Sequence, residues 1–271
     1  MRRFLAAAIQ VTSTEDRERN LDAALSLIDA AAARGADLVA LPENVDLIGP
    51  QGVKVAAAEP LDGPTFTLFA DKAREKKIHL LAGSIAETST IVGKARNTSV
   101  LFGPDGTRLA VYRKIHLFDV DLSDGSRFRE SDVVEPGDEV VTVATPLAVL
   151  GMSICYDLRF PELYRALAAR GAEVLMVPSA FTMMTGKDHW EVLLRARAIE
   201  NTSWLIAPAQ SGQHGHGRSS YGHSMIVDPW GVVVARCSDG PGFCIAEIDP
   251  EMLARVRGAI PSLAHRRLFT T

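Results

Sequence analysis

Three side chains of chemically useful type sit where apolar runs give way to polar turns. They are Glu43 in "DLVALPEN", Lys114 in "VYRKIHLFD" and Cys155 in "LAVLGMSICYDLRFPE". A free cysteine is commonly a small buried hydrophobe, and that is one reading of Cys155. The other is a nucleophile. A thiol at the C-terminal end of a buried strand, just before a helix, lies at the edge where sites gather in α/β sheets, and a helix N-terminus favours thiolate. The placement is that of a nucleophile elbow without the G-x-S-x-G residues. Glu43 is either a general base or a charge opening a surface loop. Lys114 is either a solvated lysine or a cation that favours a thiolate and stabilises the oxyanion of a tetrahedral intermediate.

The histidines of "SGQHGHGRSSYGH" compete with this reading. His214 and His216 form an H-x-H pair, with His223 close behind. No carboxylate or cysteine lies in the same segment, so a substrate-covering or solvated glycine-rich loop from Gly212 to Gly217 is favoured over a metal site. No phosphate-binding glycine motif and no HExxH is present.

The elements that must position these residues follow from pattern. Phe4–Val11 reads as a buried strand. "DRERNLDAALSLIDAAAARGA" places Leu21, Ala24, Leu25, Ile28 and Ala32 at helical spacing with Gly35 as the stop, and "DLVALPE" is a strand ending at Glu43. The unit around Cys155 has the same order: "LAVLGMSI", a helix "PELYRALAAR" opened by Pro161, and "EVLMVP". "ARGADLVALPE" (33–43) and "ARGAEVLMVPS" (169–179) match element for element. "KKIHLLAGSIAE" and "TSWLIAPAQSG" supply later strands. "NTSVLFGPDGTRLAVYRK" and "SMIVDPWGVVVARC" supply hairpins, and "GFCIAEID" adds a strand to the second half. Two pseudo-symmetric β-α-β-α-β-β halves predict an α/β fold in which two helix-flanked sheets pack face to face. No linker separates the halves, so residues 1–271 read as a single domain.

Bulk properties set the class. With 271 residues, 47% hydrophobic and 23% charged, the chain can bury a substantial core. A net charge of -4 without a basic stripe excludes a nucleic-acid footprint. No run of 18 apolar residues predicts a membrane span. "MRRFLAAAIQV" has the arginines of a signal peptide, but Gln10 interrupts the run and a first strand fits it better. Three cysteines (Cys155, Cys237, Cys244) without a CxxC predict free thiols and a reducing, cytoplasmic compartment.

"LPEN", "YRKIHLFD" and "GMSICYDLRFPE", in that order, resemble the nitrilase superfamily of carbon–nitrogen hydrolases, and the likeness runs from "FLAAAIQV" to "AHRRLF". The segments "GKDHWEVLLRARAIENTSW" and "SSYGHSMIVDPWGVVVARCSDGPG" point to its nitrilase-homologue amidases. The resemblance implies a four-layer α-β-β-α sandwich, a homodimer, and amide hydrolysis without a metal or organic cofactor. It assigns Cys155 as nucleophile, Glu43 as general base and acid, and Lys114 with the Tyr156 N–H as oxyanion donors. Glu130, in "FRESDVVEPGD", would orient the lysine and the substrate amide. The implied substrate is deaminated glutathione, a keto acid joined through an amide to Cys-Gly. The alternatives are alpha-ketoglutaramate and a non-catalytic scaffold of the same fold. Carboxylates on such a substrate call for cationic donors, and Arg159, Lys187 and Arg218 are the candidates.

Overall fold

The structure is a computed structural model, which describes residues 1–122, Gly125 and 127–267. Ser123, Asp124, Ser126 and the last four residues of the expected 1–271 domain, which include Leu268 and Phe269 of "AHRRLF", lie outside the described residues.

The first half runs β1 (Phe4–Val11), α1 (Arg17–Ala33), β2 (Leu38–Ala40), α2 (Gln51–Ala56), α3 (Pro64–Lys76), β3 (His79–Leu81), β4 (Ile85–Thr88), β5 (Ala95–Phe102) and β6 (Arg108–Arg113). A small hairpin follows, β7 (Asp119–Asp121) and β8 (Arg127–Arg129), then a 3-10 turn over Glu130–Asp132. The second half runs β9 (Thr142–Ala144), β10 (Val149–Met152), a 3-10 turn over Cys155–Arg159, α4 (Pro161–Ala169), β11 (Val174–Met176) and α5 (Met183–Asn201). It closes with β12 (Trp204–Ala207), β13 (Ala209–Gly215), β14 (Arg218–Tyr221), β15 (Met225–Val227), β16 (Val233–Arg236), β17 (Gly242–Ile248) and α6 (Pro250–Ala259).

Among the described residues one sheet has the order β14-β13-β1-β2-β3-β5-β4, with β17 on β1 and β6 on β5, and the other has the order β16-β15-β12-β11-β10-β9. The pleat of β1 and β2 sorts the layers. Ala6, Ala8, Leu38 and Ala40 face inward and pack with Leu150, Met152, Val174 and Met176 of the second sheet. Ala7, Ile9 and Val39 point the other way, onto Ala24 and Ile28 of α1 and Phe66 and Phe69 of α3. The helices α4 and α5 cover the outer face of the second sheet through Leu163, Leu167, Trp190 and Leu194. The layer order is therefore α-β-β-α, as expected. Each fully buried Leu, Ile or Phe contributes about 1.5–3 kcal/mol of hydrophobic stabilisation.

The halves are less separate than the sequence pattern predicts. "TSWLIAPAQSG" is not one strand: Pro208 ends β12 in the second sheet, and the chain crosses to pair β13 with β1 in the first. β17 likewise joins the first sheet, antiparallel to β1 from Phe4↔Ile248 to Gln10↔Gly242. "KKIHLLAGSIAE" breaks into β3 and β4 at Gly83, whose φ is +61° and where a Cβ would come within 2.0 Å of the Pro42 carbonyl oxygen. The glycine-rich segment 212–217 is part of the β13–β14 hairpin rather than an irregular loop, with a register shift between Gln213 and Gly215. No helix among the described residues is long and apolar enough to cross a membrane.

Candidate active site

β10 delivers Cys155. The strand stops at Met152, the chain turns, and Cys155 takes φ +48°, a left-handed value that a non-glycine residue adopts only when its surroundings enforce it. The Cys155 N–H donates to the Pro178 carbonyl (2.9 Å) at the end of neighbouring β11. This is an elbow, but the residues after it form a 3-10 turn, and α4 begins only at Pro161. The expected helix-dipole route to a thiolate is therefore corrected. Burial and the adjacent Glu43 charge raise the Cys155 thiol well above its ordinary range, against an opposing pull from Lys114.

Glu43 and Lys114 meet in the same cavity as Cys155. Glu43 is 3% exposed. Its Oε1 accepts from Lys114 Nζ (2.9 Å) and from Asn97 Nδ2 (2.9 Å), and its Oε2 accepts from the Ala180 N–H (3.0 Å). Lys114 follows the last residue of β6 and also donates to Glu130 Oε2 (2.8 Å). Burial alone would drive this ammonium toward neutrality; the charges of Glu130 and Glu43 overcome it and raise its pKa well above normal. Burial opposes ionisation of Glu130 as well, yet the charges of Lys114 and Lys54, with hydrogen bonds from Lys114 and the Phe118 N–H (2.8 Å), bring it down to about 2. The cavity thus holds a fixed carboxylate–ammonium–carboxylate row beside a neutral thiol.

Two supporting residues are absent from the sequence reading. Asn97 on β5 bridges the carboxylates, donating to Glu43 Oε1 and to Glu130 Oε1 (3.2 Å). Asp157, fully buried, clamps the elbow to the lysine segment. Its Oδ2 accepts from the Ile154 N–H (2.8 Å) and Tyr112 Oη (2.6 Å); its Oδ1 accepts from the His116 N–H (3.0 Å) and pairs with His116 Nδ1 (2.7 Å). "CYDLR" and "VYRKIH" hold these partners, but only the fold reveals that they touch.

The cavity encloses about 410 Å³. Tyr156 lines it, and among the described residues its N–H has no acceptor. Arg159 and Arg218 line it too, and neither has a carboxylate partner among the described residues. Arg159 lies over the rings of Phe181 (5.4 Å) and Tyr156 (5.9 Å), while Arg218 donates to the Gly49 carbonyl (3.0 Å). Lys187 is a different case. The buried stripe of α5 is Gly186, Trp190, Leu194, Arg197, Ala198 and Asn201, which turns Lys187 to solvent and away from the cavity. His214 uses both ring nitrogens, on the Ser13 carbonyl and on Ser220 Oγ (2.8 Å each); His216 pairs with Glu15, and His223 faces the Cys237 carbonyl (3.2 Å). Among the described residues no three His, Cys, Asp or Glu side chains converge as metal ligands.

A buried thiol, a carboxylate able to take its proton, and an ammonium with a free backbone N–H for a developing oxyanion are the parts that acyl transfer needs. Comparison with known proteins agrees in kind. The family model described as carbon-nitrogen hydrolase matches residues 5–258. A protein of Synechocystis named deaminated glutathione amidase is 48% identical over 98% of this chain and 99% of its own length. The Homo sapiens protein of the same name is 45% identical over 97% of this chain and 82% of its own. The crystal structure of the C. elegans NitFhit protein superposes with a TM-score of 0.92 at 42% identity, covering 98% of this chain and 65% of that one.

Proposed function

The chain belongs to the carbon–nitrogen hydrolase family and is an amidase, and from that premise we propose that it hydrolyses deaminated glutathione to 2-oxoglutarate and Cys-Gly, with Cys155, Glu43 and Lys114 as its catalytic residues. The observation that carries the reading is the pairing of an acyl-transfer constellation with two guanidinium groups, Arg159 and Arg218, that line the same cavity without carboxylate partners among the described residues. A cavity so charged favours an anionic amide.

In this mechanism Glu43 takes the Cys155 proton as sulfur attacks the amide carbon. The raised thiol pKa makes the base necessary, because little thiolate exists beforehand. Lys114 Nζ and the Tyr156 N–H hold the oxyanion. Collapse breaks the C–N bond, Glu43 returns its proton to the leaving amine, and a thioester remains on Cys155. Water attacks the thioester with Glu43 again as base, releasing the acid and restoring the thiol. Glu130 and Asn97 keep Lys114 and Glu43 in register through the bonds at 2.8 and 2.9 Å.

The test is a comparison of substrates. kcat/KM for deaminated glutathione is expected to exceed that for alpha-ketoglutaramate by at least about tenfold, the equivalent of about 1.4 kcal/mol of transition-state binding by the Cys-Gly portion. A ratio at or below one moves the substrate to the monoamide and leaves the catalytic residues unchanged.

The finer properties belong to the same proposal. Residues 1–271 are taken as one domain, a reading supported by the bonding of β13 and β17 to β1. A homodimer is supported by exposed apolar side chains near the sheet edge β16: Ile199 on α5 lies against Gly231, between the exposed Trp230 and Val232, and Val234 is exposed on β16 itself. Light scattering that gives a monomer mass at micromolar concentration would remove the dimer. Three free, buried thiols support a reducing, cytoplasmic setting.

A further inference from the structure

The amidase reading leaves without a task one cavity-lining cation that has no carboxylate partner among the described residues. Lys54 lies on α2, the six-residue helix inserted after Glu43. Its Nζ donates to Asn44 Oδ1 at 2.8 Å, and it has no carboxylate within ion-pair distance among the described residues. An ammonium has three donors. Two remain for something that enters the cavity. Burial pushes its pKa down, and the charges of Glu130 and Glu43 only partly offset this. A cation in that position is stabilised by an incoming anion.

Arg127 and Arg129 also line the cavity but pair with Asp121, and Lys114 pairs with Glu43 and Glu130; the lining cations without a carboxylate partner among the described residues fall on two walls. The segment after Glu43 makes the first: it carries Lys54, and its Gly49 carbonyl holds Arg218. The elbow makes the second: Arg159, four residues after Cys155, rests on Tyr156 and Phe181 with His189 Nδ1 at 3.3 Å. The walls differ in depth, since the Lys54 bond is partly buried and the Arg159 contacts are exposed. The order of product release makes depth meaningful. The amine leaves first, while the acyl half stays covalently attached until water reaches it. The deeper cation therefore suits the retained acyl half, and the more open one suits the departing half.

We propose that Lys54 is a specificity-determining residue that binds the carboxylate on the acyl side of the substrate, with Arg159 binding the carboxylate on the leaving-group side, so that the site selects amides charged at both ends. This rests on the cavity being the amidase site. It adds a residue for recognition, and with it a rule for substrates: one carboxylate on each side of the scissile bond.

The test uses three amides with the full-length protein: deaminated glutathione (charged at both ends), alpha-ketoglutaramate (charged on the acyl side only) and pentanamide (uncharged). Wild-type turnover of any of them, abolished by Cys155→Ala, establishes the amidase site independently of Lys54. In Lys54→Met, kcat/KM for alpha-ketoglutaramate is expected to fall at least about tenfold more than for pentanamide, mostly through KM, as loss of a charge-assisted bond predicts. Lys54→Arg should keep the preference. In Arg159→Met, deaminated glutathione should lose more than alpha-ketoglutaramate. A second readout avoids catalysis: glutarate should raise the melting temperature of wild type and fail to raise that of Lys54→Met. Equal losses by Lys54→Met on charged and uncharged amides would overturn the proposal and make Lys54 a balancing charge for Glu43 and Glu130. A wild type that prefers pentanamide to alpha-ketoglutaramate would overturn it without any variant, whether or not Lys54→Met folds.

Discussion

Residues 33–43 and 169–179 are built alike and finish differently. Each begins at the end of a helix, turns at a glycine with nearly the same φ (+86° at Gly35, +87° at Gly171), and enters a three-residue strand between two parallel neighbours. Each then reaches a proline. The first ends in Glu43 and the second in Ser179, and the two ends meet: the Ala180 N–H, one residue past Ser179, donates to Glu43 Oε2 at 3.0 Å. The preceding strands diverge more. β10 stops at Met152 and its turn leads to a strained cysteine, whereas β1 runs into Thr12 and Ser13, and Ser13 binds the Val45 carbonyl and the Gln210 side chain. Duplicated architecture thus brings two equivalent rims together, and unequal residues on those rims make a site. In the proposed mechanism the first half supplies the base and the cation, and the second supplies the nucleophile and the N–H that holds the base.

The largest losses are expected when one member of each rim is removed. Cys155→Ala is expected to keep the fold and lower turnover by several orders of magnitude, on the order of a millionfold by analogy with other nucleophile deletions. Glu43→Gln keeps the size of the base and removes its function, for an expected loss on the order of a hundred- to ten-thousandfold. Lys114→Met removes the oxyanion cation at a similar cost. It also leaves the buried Glu43 and the partly buried Glu130 without their ion-pair partner, so its melting temperature should fall as well. Turnover measured beside a thermal melt separates the two effects. A folded Cys155→Ala with near-normal activity would end the nucleophile assignment.

A milder loss is expected at the clamp between the rims. Asp157 receives one backbone N–H on each oxygen, Ile154 on Oδ2 and His116 on Oδ1. Only a carboxylate accepts on both sides. An asparagine must turn its NH2 toward one of these donors, whichever way it flips, leaving a buried N–H unmatched at about 1–3 kcal/mol. Asp157→Asn is therefore expected to lower stability by that amount and kcat by at least about tenfold, since a small displacement of either the elbow or Lys114 misaligns the reacting groups. Tyr112→Phe leaves both backbone bonds in place and should do less. Equal kcat in Asp157→Asn and wild type would remove the positioning role.

The sequence announces the parts of the site that sit at element ends. Glu43 and Cys155 each close an apolar run and Lys114 stands at a strand end, features visible without coordinates. Asn97 and Asp157 are hidden for the opposite reason. Asn97 falls on an alternating strand where a polar residue is ordinary, and Asp157 follows an elbow where turns are commonly polar. Lys54 sits on a helix too short to show an amphipathic face. The extended character of "TSWLIAPAQSG" and "GFCIAEID" was legible and their sheet was not: whether Pro208 sends the chain to the other sheet depends on which edge is open, and the glycines of 212–217 disguise the end of β13 as a loop. Lys187 and Arg218 look equivalent in sequence, and helical phase alone exposes one of them.

The smallest effect is expected where the two segments are most nearly symmetric. Gly35 and Gly171 share a left-handed φ, and an added Cβ would meet little at either: Leu5 Cδ1 at 3.7 Å for Gly35, and nothing within 4 Å for Gly171. Steric clash therefore drops out, and the cost of Gly→Ala is the backbone strain of holding an L-residue at positive φ, about 1–2 kcal/mol. If the two halves are true structural equivalents, Gly35→Ala and Gly171→Ala should destabilise by the same amount to within about 0.5 kcal/mol, a difference ordinary for sites that do not interact. The double variant should show their sum, and kcat should hold, since both turns lie at the far end of their strands from Cys155. Denaturant melts of the three variants measure this. A large inequality would mean that the matching φ values conceal different local demands, and that the likeness of 33–43 to 169–179 extends to shape but not to energetics.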